Sequence, residues 1–128
     1  MALTRRAFIE GLAVAGALPL ARDVTTQDAH PMFGLIGRMK AVSGQRDALI
    51  AILLEGTGNM PGCLSYIVAR DPADADAIWV TEAWDTKASH EASLALPAVR
   101  EAIRRGRPLI AAFEQSVPTE PVGGQGLE

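Results

Sequence analysis

Cys63-Leu64-Ser65-Tyr66-Ile67-Val68-Ala69-Arg70 and Ala77-Ile78-Trp79-Val80-Thr81-Glu82-Ala83-Trp84 are two runs rich in β-branched and aromatic residues. Side chains of that kind suit a pleated, half-buried surface. Between the runs, Asp71-Pro72-Ala73-Asp74-Ala75-Asp76 is turn material, because Pro fixes φ and Asp bonds its own backbone. The pair predicts an antiparallel hairpin. Cys63, inside the first run, is expected to be a small core residue and not a reactive thiol.

Working outward toward the N-terminus, Gly56-Thr57-Gly58-Asn59-Met60-Pro61-Gly62 must be a loop. Its Gly-x-Gly follows a helical pattern, whereas a nucleotide fingerprint follows a strand and opens a helix, so it is no phosphate cradle. That helical pattern is Leu49, Ile52, Leu53 and Gly56, spaced three and four apart, and it predicts a helix from Gln45 to about Glu55. Before it, Phe33 to Val42 sets Leu35, Met39 and Ala41 at period two against Ile36, Arg38 and Lys40, the pattern of a strand with two differently used faces.

Toward the C-terminus, Asp85 or Thr86 can accept from the free N–H groups of a short helix over roughly Lys87 to Leu94. Pro97 suits the first turn of a further helix with Val99, Ala102 and Ile103 inward and Gly106 as its stop. Arg100, Arg104, Arg105 and Arg107 gather near that helix's C-terminal end, where cations meet the negative end of the dipole; they read as a solvated cap in preference to an anion site. A last strand is expected over about Ala111 to Thr119, and a flexible tail over 123–128.

Strand, helix, strand, strand, interrupted helix, strand is the split βαβ order. It predicts an α+β, ferredoxin-like domain over residues 32–122, with a four-stranded antiparallel sheet. Helices cover one face only. The other is expected to carry Ile36, Tyr66 or Ile67, Val80 and Trp84, too apolar to be left in water, so two copies are expected to pack sheet to sheet as a homodimer.

A chain of 128 residues has room for one domain at about 100 to 200 residues each. Its 12 Lys plus Arg against 15 Asp plus Glu, a net charge of -3, exclude a nucleic-acid platform, which needs a basic excess. One cysteine permits no intrachain disulfide, and Cys63 with His30 and His90 cannot assemble a zinc cluster. At the N-terminus, Thr4-Arg5-Arg6-Ala7-Phe8-Ile9 precedes the mildly apolar Gly11-Leu12-Ala13-Val14-Ala15-Gly16-Ala17-Leu18. Residues 1–31 therefore read as a twin-arginine-type export signal and linker, implying a periplasmic or extracellular setting, or a cytoplasmic one where the signal is not functional. The apolar run is shorter than the about 20 residues a membrane span takes, so no stable span is expected. Exchange of Arg5 and Arg6 for lysine is expected to abolish export, and unchanged export would contradict the assignment.

Gly44-Gln45-Arg46-Asp47-Ala48-Leu49, Met60-Pro61-Gly62-Cys63-Leu64, and Glu82-Ala83-Trp84-Asp85 followed by Ser89-His90 stand in an order and spacing that resemble the antibiotic biosynthesis monooxygenase family, dimeric α/β-barrel proteins that include quinol monooxygenases. The resemblance runs from about Met32 to Val122. It implies oxygenation of a small aromatic or quinol substrate by O₂ without metal, flavin or haem. An electron-rich ring, once deprotonated, can itself reduce O₂, so the protein needs a base, a dry pocket and a hold on the anion. His90 is the implied catalytic base, since an imidazole takes a proton near neutrality. Trp79 and Trp84 fall on opposite faces of their strand, one expected in the core and one in the cavity wall. Trp84, Tyr66, Glu82 and Arg38 are the candidate substrate-binding residues, with Arg38 a partner for the Glu82 carboxylate; a purely structural Glu82–Arg38 ion pair and a plain barrel-packing Tyr66 are the competing readings. The haem-degrading branch is disfavoured, because Val99, Arg100 or Ile103 stands where it places a histidine, and Arg38 and Lys40 stand where it uses an asparagine. A non-catalytic small-molecule-binding module of the same fold is the principal alternative, and an isomerase or lactone-handling enzyme a further one.

Overall fold

The hairpin forms over the quoted runs, as β2 (Cys63–Arg70) and β3 (Ala77–Trp84). Around it lie β1 (Phe33–Ala41), α1 (Arg46–Gly56), α2 (Lys87–Ser93), α3 (Pro97–Gly106), a 3₁₀ turn (Arg107–Leu109) and β4 (Ile110–Thr119). The structure is a computed structural model that describes residues 30–127. The export signal expected at Arg5-Arg6 and most of the linker expected after it lie outside the described residues. The sheet order is β2-β3-β1-β4 with every neighbouring pair antiparallel, the ferredoxin-like arrangement. Among the described residues, no helix is long and apolar enough to cross a membrane.

All three helices lie against one face of the sheet. The register pairs Phe33 with Trp84, Leu35 with Glu82 and Met39 with Ile78, so odd-numbered β1 residues share that face with even-numbered β3 residues. Leu49 of α1 meets Ala41, Ile78 and Val80 there, and Leu49 and Ile78 have no solvent exposure. Full burial of such a side chain stabilises by about 1.5–3 kcal/mol. A second cluster joins Met60, Trp84 and Val99, so the loop before β2, the end of β3 and α3 close together. The helices α1 and α3 touch at Gly56, where an added Cβ would collide with the Ala102 Cβ.

The expected composition of the uncovered face needs correction. Val80, Trp84 and Tyr66 belong to the helix-covered side, whereas Ile36 and Ile67 do lie on the open side, joined by Val117. Trp79 is on the open side as well, and is neither core nor cavity wall; its indole N–H donates to Asp71 at 3.0 Å. The arithmetic of the register explains both points. Paired positions on β1 and β3 always sum to 117, an odd number, so residues of equal parity on the two strands fall on opposite faces.

The same rule corrects the proposed contact of Arg38 with Glu82. Arg38 pairs across the ladder with Trp79 on the open face, where its guanidinium lies 5.7 Å from the Trp79 ring centroid. It bonds Asp71 at 3.2 Å, Asp74 at 3.4 Å and the Glu114 carboxylate. Arg46 completes the support of this corner by donating to the carbonyls of Asp71, Asp74 and Ala77, clamping the hairpin turn to the start of α1. The Ala73 N–H first, and then the Trp79 indole, hold the Asp71 carboxyl below its usual range, with the Arg38 guanidinium adding to them.

Candidate active site

Glu82 and Trp84 are two apart on β3 and so project from the same face. The Trp84 indole N–H donates to Glu82 Oε1 at 2.9 Å, and Trp84 itself is 1% exposed. The chain then turns into α2, where the Thr86 side chain accepts the Ser89 N–H at 3.1 Å, the N-cap that one of the two candidate residues was expected to form. That cap fixes the first turn and delivers His90 over the end of the sheet. The imidazole lies between two aromatic rings, with centroids 5.1 Å from Phe33 and 5.4 Å from Trp84, the latter edge to face. Its Nε2 is 3.8 Å from Glu82 Oε1, within ion-pair range and longer than a hydrogen bond.

These groups border a cavity of about 580 Å³ between the helices and the sheet. Ligand pockets for small organic molecules span about 300–1,000 Å³, so a one- or two-ring guest fits. Tyr66 faces Glu82 across the β2–β3 ladder and reaches the same space. Burial first, then the neighbouring Glu82 and Cys63, push the Tyr66 phenol pKa far upward, so it is a neutral hydroxyl that can donate a hydrogen bond and is no base. Cys63 is half-buried beside the site, its thiol pKa also raised chiefly by burial, which leaves no reactive thiolate. Among the described residues, no three His, Cys, Asp or Glu side chains stand close enough to share a metal ion.

The structure therefore brings His90, Trp84, Glu82 and Tyr66 around one space and leaves Arg38 on the other side of the sheet. Ile103, expected inward, is 40% exposed and stands at the cavity mouth with Leu94 and Phe113. Two contributors escaped the sequence reading. Phe33 flanks His90, and extending the β1 alternation of Leu35, Met39 and Ala41 by one step would have found it. Phe113 is harder. On β4, Gln115 pairs with Arg38 and Phe113 with Met39, so Glu114 is an extra residue, and this bulge turns the Phe113 side chain to the cavity side.

An antiparallel ferredoxin-like sheet roofed by helices encloses an apolar cavity of small-molecule size, with one carboxylate bonded to an indole and facing an imidazole. The antibiotic biosynthesis monooxygenase model matches residues 32–105. A candidate antibiotic biosynthesis monooxygenase from Chloroflexus aurantiacus J-10-fl is 64% identical, covering 76% of this chain and 99% of its own, with a TM-score of 0.74. A second, from Caulobacter crescentus CB15, shares the fold at 16% identity, 77% and 99% coverage and a TM-score of 0.67. A third, from Deinococcus radiodurans, is 25% identical over 72% of this chain and 94% of its own, at a TM-score of 0.61. No curated protein matches the chain. The chain belongs to the antibiotic biosynthesis monooxygenase family.

Proposed function

We propose that the protein is a cofactor-independent monooxygenase that oxidises a small phenolic or quinol ring with O₂ inside this cavity. The observation that carries the reading is the placement of the Glu82 carboxylate between the Trp84 N–H and the His90 ring, in a space otherwise lined mainly by apolar side chains. His90 takes the phenolic proton, and Glu82 stabilises the imidazolium that results. Apolar walls exclude water, which strengthens that attraction and protects the reactive anion. The electron-rich anion passes an electron to O₂, and the ring radical and superoxide then join through a new C–O bond. The imidazolium protonates the resulting peroxide, and loss of the C–H proton from the ring carbon that carries it supplies the electron pair that forms the new C=O bond as the O–O bond breaks. One oxygen stays on the ring as a carbonyl and the other leaves as water. For a quinol the balance is quinol plus O₂ giving hydroxyquinone plus water, with all four electrons supplied by the substrate.

Purified protein in an oxygen electrode, offered a panel of hydroquinones and naphthols, is expected to consume O₂ above buffer and to release hydroxylated quinone. Ring binding without O₂ uptake would instead identify a binding module, and product without O₂ an isomerase-type activity.

The functional unit we propose is a homodimer closed by the open sheet face, where Ile67 is 55% and Val117 47% exposed. Gel filtration at micromolar concentration is expected to show a dimer, and Ile67→Asp a monomer, because a carboxylate there would be buried unpaired. A wild-type monomer would contradict the assembly.

A further inference from the structure

Beyond the apolar cavity lies a cationic annex. Arg100, Ile103, Arg104 and Arg107 line a neighbouring hollow of about 340 Å³, and Ile103 and Arg107 line the main cavity too. Their spacing of three, four and seven residues sets them along one ridge of α3 and its 3₁₀ extension. The four arginines of this region are not equivalent. Arg104 is neutralised by Glu101 and Arg105 by Glu55. Arg100 and Arg107 make no salt bridge among the described residues, although both are exposed beside the mouth of the cavity. A plain solvated cap explains cations at a helix end. It does not explain why the arginine shared by both hollows is one of the two left without a carboxylate partner.

We infer that the cavity's substrate is an aromatic carrying a carboxylate at the end remote from its hydroxyl, with Arg107, supported by Arg100, gripping that carboxylate at the mouth while the hydroxyl reaches His90. The planar guanidinium fork fits a carboxylate with two parallel hydrogen bonds, which fixes direction as well as adding affinity. Ile103, partly exposed, and Phe113, largely exposed, are the apolar side chains at the rim, where the ring passes from water to the interior. Arg107 is thus a specificity-determining residue that acts on substrate entry and orientation and not on the proton transfer. The inference rests on the aromatic-binding reading of the cavity, and its test separates the two.

Two probes present the same ring and hydroxyl with an anionic or a neutral group at the remote end: 6-hydroxy-2-naphthoate and its methyl ester. Titrated against the full chain and followed by tryptophan fluorescence or calorimetry, the acid is expected to bind about tenfold more tightly than the ester, the size of a charge-assisted bond at a partly exposed site. Added salt should erode that preference and leave the ester's affinity alone. Arg107→Gln should remove most of the preference, and Arg100→Gln with Arg107→Gln all of it, with the acid losing more affinity than the ester. Arg105→Gln, at a residue tied to Glu55 and lining neither hollow, should keep it in full. Equal binding of acid and ester, or a preference that survives the double replacement, would overturn the carboxylate assignment while leaving the aromatic site standing. Failure of both probes to bind would overturn the two together.

Discussion

His90→Gln is expected to lower O₂-coupled turnover by about 100-fold or more, the usual contribution of a positioned general base, with the protein still folded. Glutamine keeps much of the volume that sits between Phe33 and Trp84 and can still reach Glu82, so the aromatic contacts at 5.1 and 5.4 Å lose area without opening a large void. What disappears is the capacity to hold a proton. A loss in kcat with KM little changed would locate the effect in the chemical step; unchanged turnover would remove His90 from the mechanism. Glu82→Gln refines the assignment. The amide oxygen can still accept from the Trp84 indole, so the wall of the cavity stays in place. The imidazolium, however, loses the only carboxylate within 4 Å of it among the described residues. Turnover is expected to fall by about 10-fold or more through kcat, whereas a purely structural Glu82 would leave kcat intact and lower stability alone.

The elements of this fold were legible because each is announced locally. The two strand-forming runs and their Asp-rich turn became β2 and β3 at the expected residues, and the three-and-four spacing around Leu49 became α1. Pairings across elements are a different matter. The alternation of β1 correctly separated Arg38 from Met39, yet nothing in either strand states that their partner numbers sum to 117, and on that parity depends whether Arg38 meets Glu82 or Trp79. Likewise β4 reads as a plain strand, and the bulge at Glu114 that aims Phe113 at the cavity comes from its pairing with β1. His90, Trp84 and Glu82 could be named together because eight or fewer residues separate them, and a strand end followed by a capped helix leaves little freedom in how they meet. Arg107, seventeen residues beyond His90 and past a second helix, could be placed by the fold alone.

That local constraint also makes the site vulnerable at a position that touches no substrate. Gly62 leads into β2 with φ of +85°, the left-handed region, and an added Cβ there would lie 2.5 Å from Ser89 Oγ, 2.6 Å from Ser89 Cβ and 2.7 Å from Asp85 Oδ1. Its carbonyl accepts the Asp85 N–H at 2.9 Å, so the loop is bonded to the same turn that it would have to push away. Gly62→Ala is expected to cost about 2–4 kcal/mol, combining the left-handed penalty with an overpacking term. Gly44→Ala is the control, since Gly44 has φ of +80° with nothing within 4 Å of a built Cβ; it should lose only the conformational part, about 1–2 kcal/mol. Urea unfolding of the two variants, with equal slopes, measures the difference. Because Ser89 immediately precedes His90, the Gly62 variant should also lose turnover more steeply than Gly44→Ala, as a displacement of about 1 Å at a reacting group costs up to about 100-fold. Adding Ser89→Gly removes two of the three close contacts and should restore part of both stability and turnover. Equal costs at Gly62 and Gly44 would show instead that α2 is not braced by this loop, and that the position of His90 is set by its aromatic neighbours alone.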